Sequence, residues 1–254
     1  MLHEKVLNDL IEREITGADC AYAGEDRTIL IDMMDTINSQ KGTNIRSLVE
    51  LDTFHILGAG EIIVNYVDCF SSETVKAYLI SHLVLDRVTD CDKIILQLYL
   101  RFRKSKEYIS PPGKPAPSHI YVRYDNAFRN MKSKRIADAL LDVVSSPRDA
   151  FYLPLTVGML ASWKLPKLKE ILLRYSVPNN ILVQDIGIEG NGEPYFPPFA
   201  FISKELRFSA INGLKHYPSN EALDALKECA LDSDVDIKLA AQRVLKKISP
   251  APNH

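Results

Sequence analysis

The sequence predicts an all-α fold, an α-α superhelix of stacked helical hairpins with one irregular insertion near residues 177–203. Apolar residues recur at helical spacing along nearly the whole chain, and short turn segments separate the helical stretches. Proline, serine and asparagine punctuate these turns, as at Ser71-Ser72, Pro147 and Pro218-Ser219-Asn220. Helices of this length joined by short turns favour hairpins that stack side by side.

An internal repeat supports the stacking. Glu205-Leu206-Arg207, followed by Ala210 and Leu214, recurs 31 residues later as Asp236-Ile237-Lys238, followed by Ala241 and Leu245. A unit of that length is one helical hairpin, which cannot bury its apolar face alone and must stack on its neighbours. The repeat therefore predicts one α-solenoid domain over residues 1–254.

Two segments depart from the helical pattern. Residues 110–118 (SPPGKPAPS) contain four prolines and a glycine, which predicts an extended Pro-rich loop. Residues 177–203 predict the irregular insertion, with weak strand character at 181–188 and a turn at Gly190-Asn191-Gly192.

A family resemblance rests on the segment from Asp232 to Leu245 (DSDVDIKLAAQRVL). An Asp-containing turn precedes an apolar-basic pair, small residues and leucine, an order that resembles the second half of a HEAT repeat. The resemblance covers residues 204–248 best, and residues 72–175 more faintly. HEAT and armadillo-like proteins act mostly as protein-binding scaffolds, so the resemblance implies a binding function; a minority are DNA glycosylases or tetrapyrrole-attachment lyases.

Composition narrows the function classes. The chain has 254 residues, 46% hydrophobic and 25% charged, with a net charge of −2, so bulk affinity for nucleic acid or membrane is not expected. Its four cysteines are widely separated and form no CxxC or Cys/His cluster, which argues against a metal site and favours a reducing, cytoplasmic location. No stretch is apolar enough for a membrane-spanning helix, and the N-terminus does not resemble a signal peptide.

The strongest functional signal is a basic segment. Residues 101–135 contain ten Lys or Arg and two acidic residues, a local net charge of +8. Aromatic residues are interleaved with these cations, a combination that suits nucleic acid and an acidic protein surface equally. The alternative is that the charges scatter over different solvated faces. The predicted partner-binding cations are Arg101, Arg103, Lys104, Arg123, Arg129, Lys132 and Arg135.

The insertion supplies a second candidate. Tyr195, Phe196 and Phe199 lie on a proline-stiffened segment, which would lose little entropy on binding and so favours a recognition loop. The alternative is that these rings pack back onto the helices.

Signals of catalysis are weak. GxSxG, HExxH and Walker A motifs are absent from the sequence, and no catalytic residue, metal or cofactor is predicted. The turn Leu57-Gly58-Ala59-Gly60-Glu61 is interpreted as a connection between helices. A glycosylase would have to use Asp149 and Trp163, and Asp149 also suits the first turn of a helix.

The sequence therefore predicts a non-catalytic protein–protein interaction module or adaptor that binds another protein with an acidic surface. The alternative is a nucleic-acid-binding protein, in the extreme case a DNA glycosylase.

Overall fold

The structure is a computed structural model that describes residues 25–105, 118–177 and 198–248. Every regular element in these ranges is helical and none is a strand, which confirms the all-α fold class. The chain forms two compact units, Met1–Glu107 and Tyr108–His254. One continuous α-solenoid domain over residues 1–254 stays a prediction.

The first unit contains five helices in its described part. Helix α3 packs against α1 and α4, while α2 and α5 also pack against α4, so α4 lies at the centre of the unit. The apolar faces meet in a core that includes Met33, Ile37, Leu51, Ile63 and Leu79, all fully buried. The helices are α1 Glu25–Lys41, α2 Leu48–Phe54, α3 Gly60–Ile63, α4 Glu73–Leu85 and α5 Cys91–Phe102.

A serine cap and a carboxylate from another helix hold the start of α4. Ser72 caps α4, accepting a hydrogen bond from the Val75 N–H at 3.3 Å. Asp26, buried in α1, accepts further bonds from the N–H groups of Ser71 (2.7 Å) and Ser72 (2.9 Å).

The glycine turn before α3 is a connection between helices, as expected. Asp86 accepts hydrogen bonds from the N–H groups of Gly58 (2.9 Å) and Gly60 (2.6 Å). These donors point at a carboxylate of the chain itself, so the turn does not present them to a phosphate.

The second unit contains eight α-helices and one 3₁₀ turn in its described part. They are α6 Ser118–Met131, the 3₁₀ turn Lys134–Ile136, α7 Ala137–Ser145, α8 Pro147–Tyr152, α9 Pro154–Ser162, α10 Leu168–Ser176, α11 Pro198–Leu214, α12 Asn220–Cys229 and α13 Val235–Ile248.

At the C-terminal end of this unit, two successive helix pairs pack so that corresponding helices of the pairs are in contact. Helices α10 and α11 are in contact and form one pair, α12 and α13 form the next, and α10 packs on α12 while α11 packs on α13. The repeated positions face the core in both pairs, because Leu206 and Ala210 in α11 and Ile237 and Ala241 in α13 are all fully buried. The 31-residue repeat thus corresponds to two stacked hairpins.

The predicted boundaries of the irregular segments need correction. Helix α11 begins at Pro198, so residues 198–203 are helical and do not belong to an irregular insertion. Proline is favoured at the first position of a helix, where its missing N–H costs nothing. Ser118 likewise begins α6. The predictions for residues 110–117 and 178–197 concern residues outside the described ranges.

Candidate interaction surface

The basic segment is divided between the two units. Arg101, Arg103 and Lys104 belong to the first unit, at and just after the end of α5; Arg101 forms an ion pair with Asp68. Arg123, Arg129, Lys132 and Arg135 belong to the second unit. A single surface formed by all seven cations stays a prediction.

Four cations of the second unit follow one another where α6 ends and the 3₁₀ turn begins. We call Arg129, Lys132, Lys134 and Arg135 the basic corner; all four side chains are exposed. Lys132 ends α6 in the left-handed conformation (φ 49°), and its N–H bonds to the carbonyl of Phe128 at 3.3 Å. A helix C-terminus carries partial negative charge, so cations are locally favoured there.

Three of these four cations lack an ion pair in the described part of the chain. Arg129, Lys132 and Lys134 form no ion pair within residues 25–105, 118–177 and 198–248. No acidic residue occurs between Asp125 and Asp138. These three side chains can therefore attract an anionic surface, an effect that salt would screen.

Four aromatic residues of the basic segment are buried, while Tyr108 lies outside the described residues. Phe102, Tyr121, Tyr124 and Phe128 are each at most 1% exposed. The Tyr121 ring stacks on Tyr152, with centroids 3.9 Å apart, inside the second unit. The expectation that these rings alternate with the cations as stacking platforms is wrong, because they form the core face of their helices.

A buried carboxylate lies one turn before the basic corner. Asp125 accepts hydrogen bonds from the N–H of Leu155 (2.9 Å) and from the N–H and hydroxyl of Thr156 (both 2.7 Å). Burial raises the pKa of Asp125 to about 6, against the lowering effect of these hydrogen bonds and of the Arg129 charge. Asp125 joins α6 to the start of α9, and so fixes the helix that carries the basic corner.

We expect this carboxylate to make the second unit less stable as the pH rises from about 4 to about 6. The folded pKa lies above the ordinary 3.8, so the folded state binds the proton more tightly, and the free energy of unfolding falls through that interval. The measurement is urea unfolding of the wild type and Asp125→Asn at about pH 4 and about pH 6.5. The stability difference between the two proteins should shift against the wild type at the higher pH. An unchanged difference would contradict the raised pKa.

The other sequence candidates are the aromatic residues of the insertion and the two residues considered for a glycosylase. Tyr195 and Phe196 lie outside the described residues, and Phe199 falls in the first turn of α11. Asp149, the only carboxylate proposed for a glycosylase, is fully buried in α8, and Trp163 is half-buried at the end of α9. A carboxylate so placed does not reach the surface, where a nucleotide would bind.

Among the described residues, one histidine, His82, is buried in the core. His82 is 2% exposed, with Nε2 at 3.9 Å from Asp52 Oδ1, as expected of a core histidine. No group of three or more His, Cys, Asp or Glu side chains among the described residues could hold a metal ion. None of the helices described is both long and apolar enough to cross a bilayer.

Sequence reasoning missed a set of ion pairs between the two C-terminal hairpins. Arg207 of α11 pairs with Asp232 at 2.5 Å, and Lys204 pairs with Asp234 at 3.0 Å and Asp236 at 2.6 Å. The sequence contained a sign of these ion pairs, because the two cations precede the aspartates that they contact by about the length of one repeat. Comparing the charged positions of the repeat, as well as the apolar ones, would have found them.

The fold and surface thus define an all-α protein with stacked hairpins in its second unit and an exposed basic corner. Comparisons with protein-family models, with curated proteins and with solved structures give no match. The HEAT-like assignment therefore stays a prediction that rests on the residues of the chain.

Proposed function

We propose that the chain is a non-catalytic protein–protein interaction module, an adaptor of HEAT-like type, that binds an acidic protein surface through the basic corner. The observation that carries the proposal is the run of exposed cations from Arg129 to Arg135, of which Arg129, Lys132 and Lys134 form no ion pair within the described ranges. A cytoplasmic location belongs to the proposal and agrees with the sparse, separated cysteines.

The burial of the aromatic rings favours a protein partner over single-stranded nucleic acid. Proteins that bind single strands stack bases on exposed aromatic side chains, each contributing about 1–3 kcal/mol. Tyr121, Tyr124 and Phe128 are packed in the core and cannot do so without unfolding their helix. An acidic protein surface requires only the cations, which are accessible.

Charge reversal at the basic corner tests the proposal. In the full chain, Lys132→Glu combined with Arg135→Glu should abolish capture of a stoichiometric partner from nuclease-treated host extract, because two attractions become repulsions. The matched control is Lys167→Glu with Lys215→Glu, which changes net charge equally at two other exposed cations of the second unit. Partner capture should survive in the control.

The same variants distinguish a nucleic-acid partner. We expect fluorescence anisotropy with a duplex and a single-stranded DNA oligonucleotide to show no tight binding at physiological salt. Binding that falls steeply with salt, and that is lost in the Lys132→Glu/Arg135→Glu variant, would overturn the protein-partner proposal in favour of phosphate recognition. Partner capture that resists charge reversal would overturn the role of the basic corner.

A further inference from the structure

Helix α11 shows how one hairpin of the second unit receives the next. Lys204 and Arg207 lie on the side of α11 that faces α13, and Ile211 shares that side because it is four and seven residues from them. Ile211 is fully buried, and the two cations pair with Asp232 and Asp234 in the turn before α13 and with Asp236 in its first helical turn. In this contact α11 supplies a buried apolar side chain and two cations. The cations bind acidic side chains at the N-terminal end of α13.

The corresponding positions of α13, 31 residues later, are exposed at Val235, Lys238 and Leu239 and half-buried at Gln242. Val235, Lys238 and Gln242 occupy the positions of Lys204, Arg207 and Ile211, and Leu239 occupies that of Phe208. These four residues lie together on one side of the helix because they are three, four and seven residues apart. We call them the open face of α13.

The open face is more apolar than an outer face needs to be. Val235 is 65% exposed and Leu239 is 41% exposed, and Leu231, in the preceding turn, is 85% exposed. In stacked arrays, an uncovered outer face is usually polar, because exposed apolar area promotes association. These side chains are therefore expected to have a partner.

The charges around the open face indicate the charge that a partner should carry. Lys238 holds the position of Arg207, yet it forms no ion pair with any residue that the structure describes, and neither do Arg243 and Lys246 farther along α13. The aspartates at the N-terminal end of α13 are already paired with Lys204 and Arg207. The free charge along the helix is thus positive.

We propose that the open face of α13 docks a helix of a partner protein whose N-terminal turn carries acidic side chains, in the manner in which α11 receives α13. The partner's apolar face covers Val235 and Leu239, and its acidic turn pairs with Lys238. A second copy of the chain fits less well, because two open faces related by a two-fold axis would bring their cations together. The inference goes beyond the basic corner, since it concerns a different surface with its own ligand.

The test is selection from a displayed library of single helices, randomised in the N-terminal turn and along one face. The full chain is the bait, and Val235→Asp with Leu239→Glu is the counter-selection bait. Both substitutions are at exposed positions, and acidic residues suit the first turns of α13, so the variant should keep the wild-type circular dichroism spectrum and melting temperature. We expect enriched peptides to carry aspartate or glutamate in the N-terminal turn and to perturb the amide resonances of residues 235–246.

A charge swap makes the test specific. Lys238→Glu should weaken an enriched peptide about tenfold, and replacing the acidic residue of the peptide by lysine should restore binding to that variant. Lys247→Glu, on the other side of the same helix, is the matched control and should leave affinity unchanged. The Lys132→Glu/Arg135→Glu variant should also bind the peptide normally, so failure of the basic corner and failure of the open face are distinguishable.

The inference is overturned if selection yields no peptide that binds the open face, or if the enriched peptides lack acidic turns. Equal binding to the wild type and to Lys238→Glu would also overturn it. Self-association of the chain that is abolished by Val235→Asp with Leu239→Glu would assign the face to a second copy instead.

Discussion

Replacing Gly213 by alanine is expected to lower the free energy of unfolding of the second unit by about 2 kcal/mol. Gly213 lies in α11 where that helix approaches α9 and α10. A Cβ at this position would lie 2.8 Å from Cβ of Ala161 and 3.0 Å from the Cδ atoms of Leu172. The Ala161 contact is close to the backbone, so relief requires one helix to move, and this cost exceeds the gain in helix propensity of up to about 1 kcal/mol.

Gly158, in α9, provides the matched control. A Cβ there would have its nearest neighbours at 3.7 Å, in the Ser209 side chain, which is ordinary contact. Gly158→Ala should therefore stabilise the protein by about 0.5–1 kcal/mol through helix propensity alone. Urea unfolding of the two variants under the same conditions measures both effects. Similar stability changes in both would contradict the close approach of α11 to α9.

The Asp125→Ala substitution is expected to cost about 3 kcal/mol of unfolding free energy. Leu153, the residue before α9, makes no side-chain cap, and Pro154 has no N–H. The N–H groups of Leu155 and Thr156 are therefore satisfied by Asp125, which acts as a cap supplied from another helix. Alanine would leave both groups and the buried Thr156 hydroxyl without this acceptor.

The exposed Asp142, in α7, supplies the comparison. Asp142→Ala removes a carboxylate from a solvated position and should change stability by less than about 0.5 kcal/mol. Chemical denaturation followed by circular dichroism measures both variants. An Asp125→Ala loss no larger than that of Asp142→Ala would show that the three hydrogen bonds contribute little.

Caps illustrate what local sequence can predict. Ser72, Ser219 and Asp234 were each recognisable because capping joins residues two or three positions apart, and all three accept hydrogen bonds from the first turn of their helix. Asp125, by contrast, caps a helix 30 residues away. Its sequence neighbourhood is that of an ordinary helical aspartate, so nothing local distinguishes it.

The aromatic residues of the basic segment illustrate an error of interpretation. Tyr121, Tyr124 and Phe128 are three and four positions apart, which is the spacing of a buried helix face. Their proximity to lysine and arginine in sequence suggested a shared surface, yet helical geometry places the two sets on different sides. The helical spacing of the aromatic residues predicted their burial better than the basic residues around them predicted exposure.

The sequence by itself determined the all-α class, the 31-residue repeat and the basic segment 101–135, because each depends on helical periodicity or on charges that are close together in the chain. Only the tertiary structure decided that Asp125 secures α9 and that Lys238 lacks the aspartate which Arg207 has. These features depend on contacts between residues about 25 to 31 positions apart. Burial and pairing at that range are set by how helices pack, which no local pattern encodes.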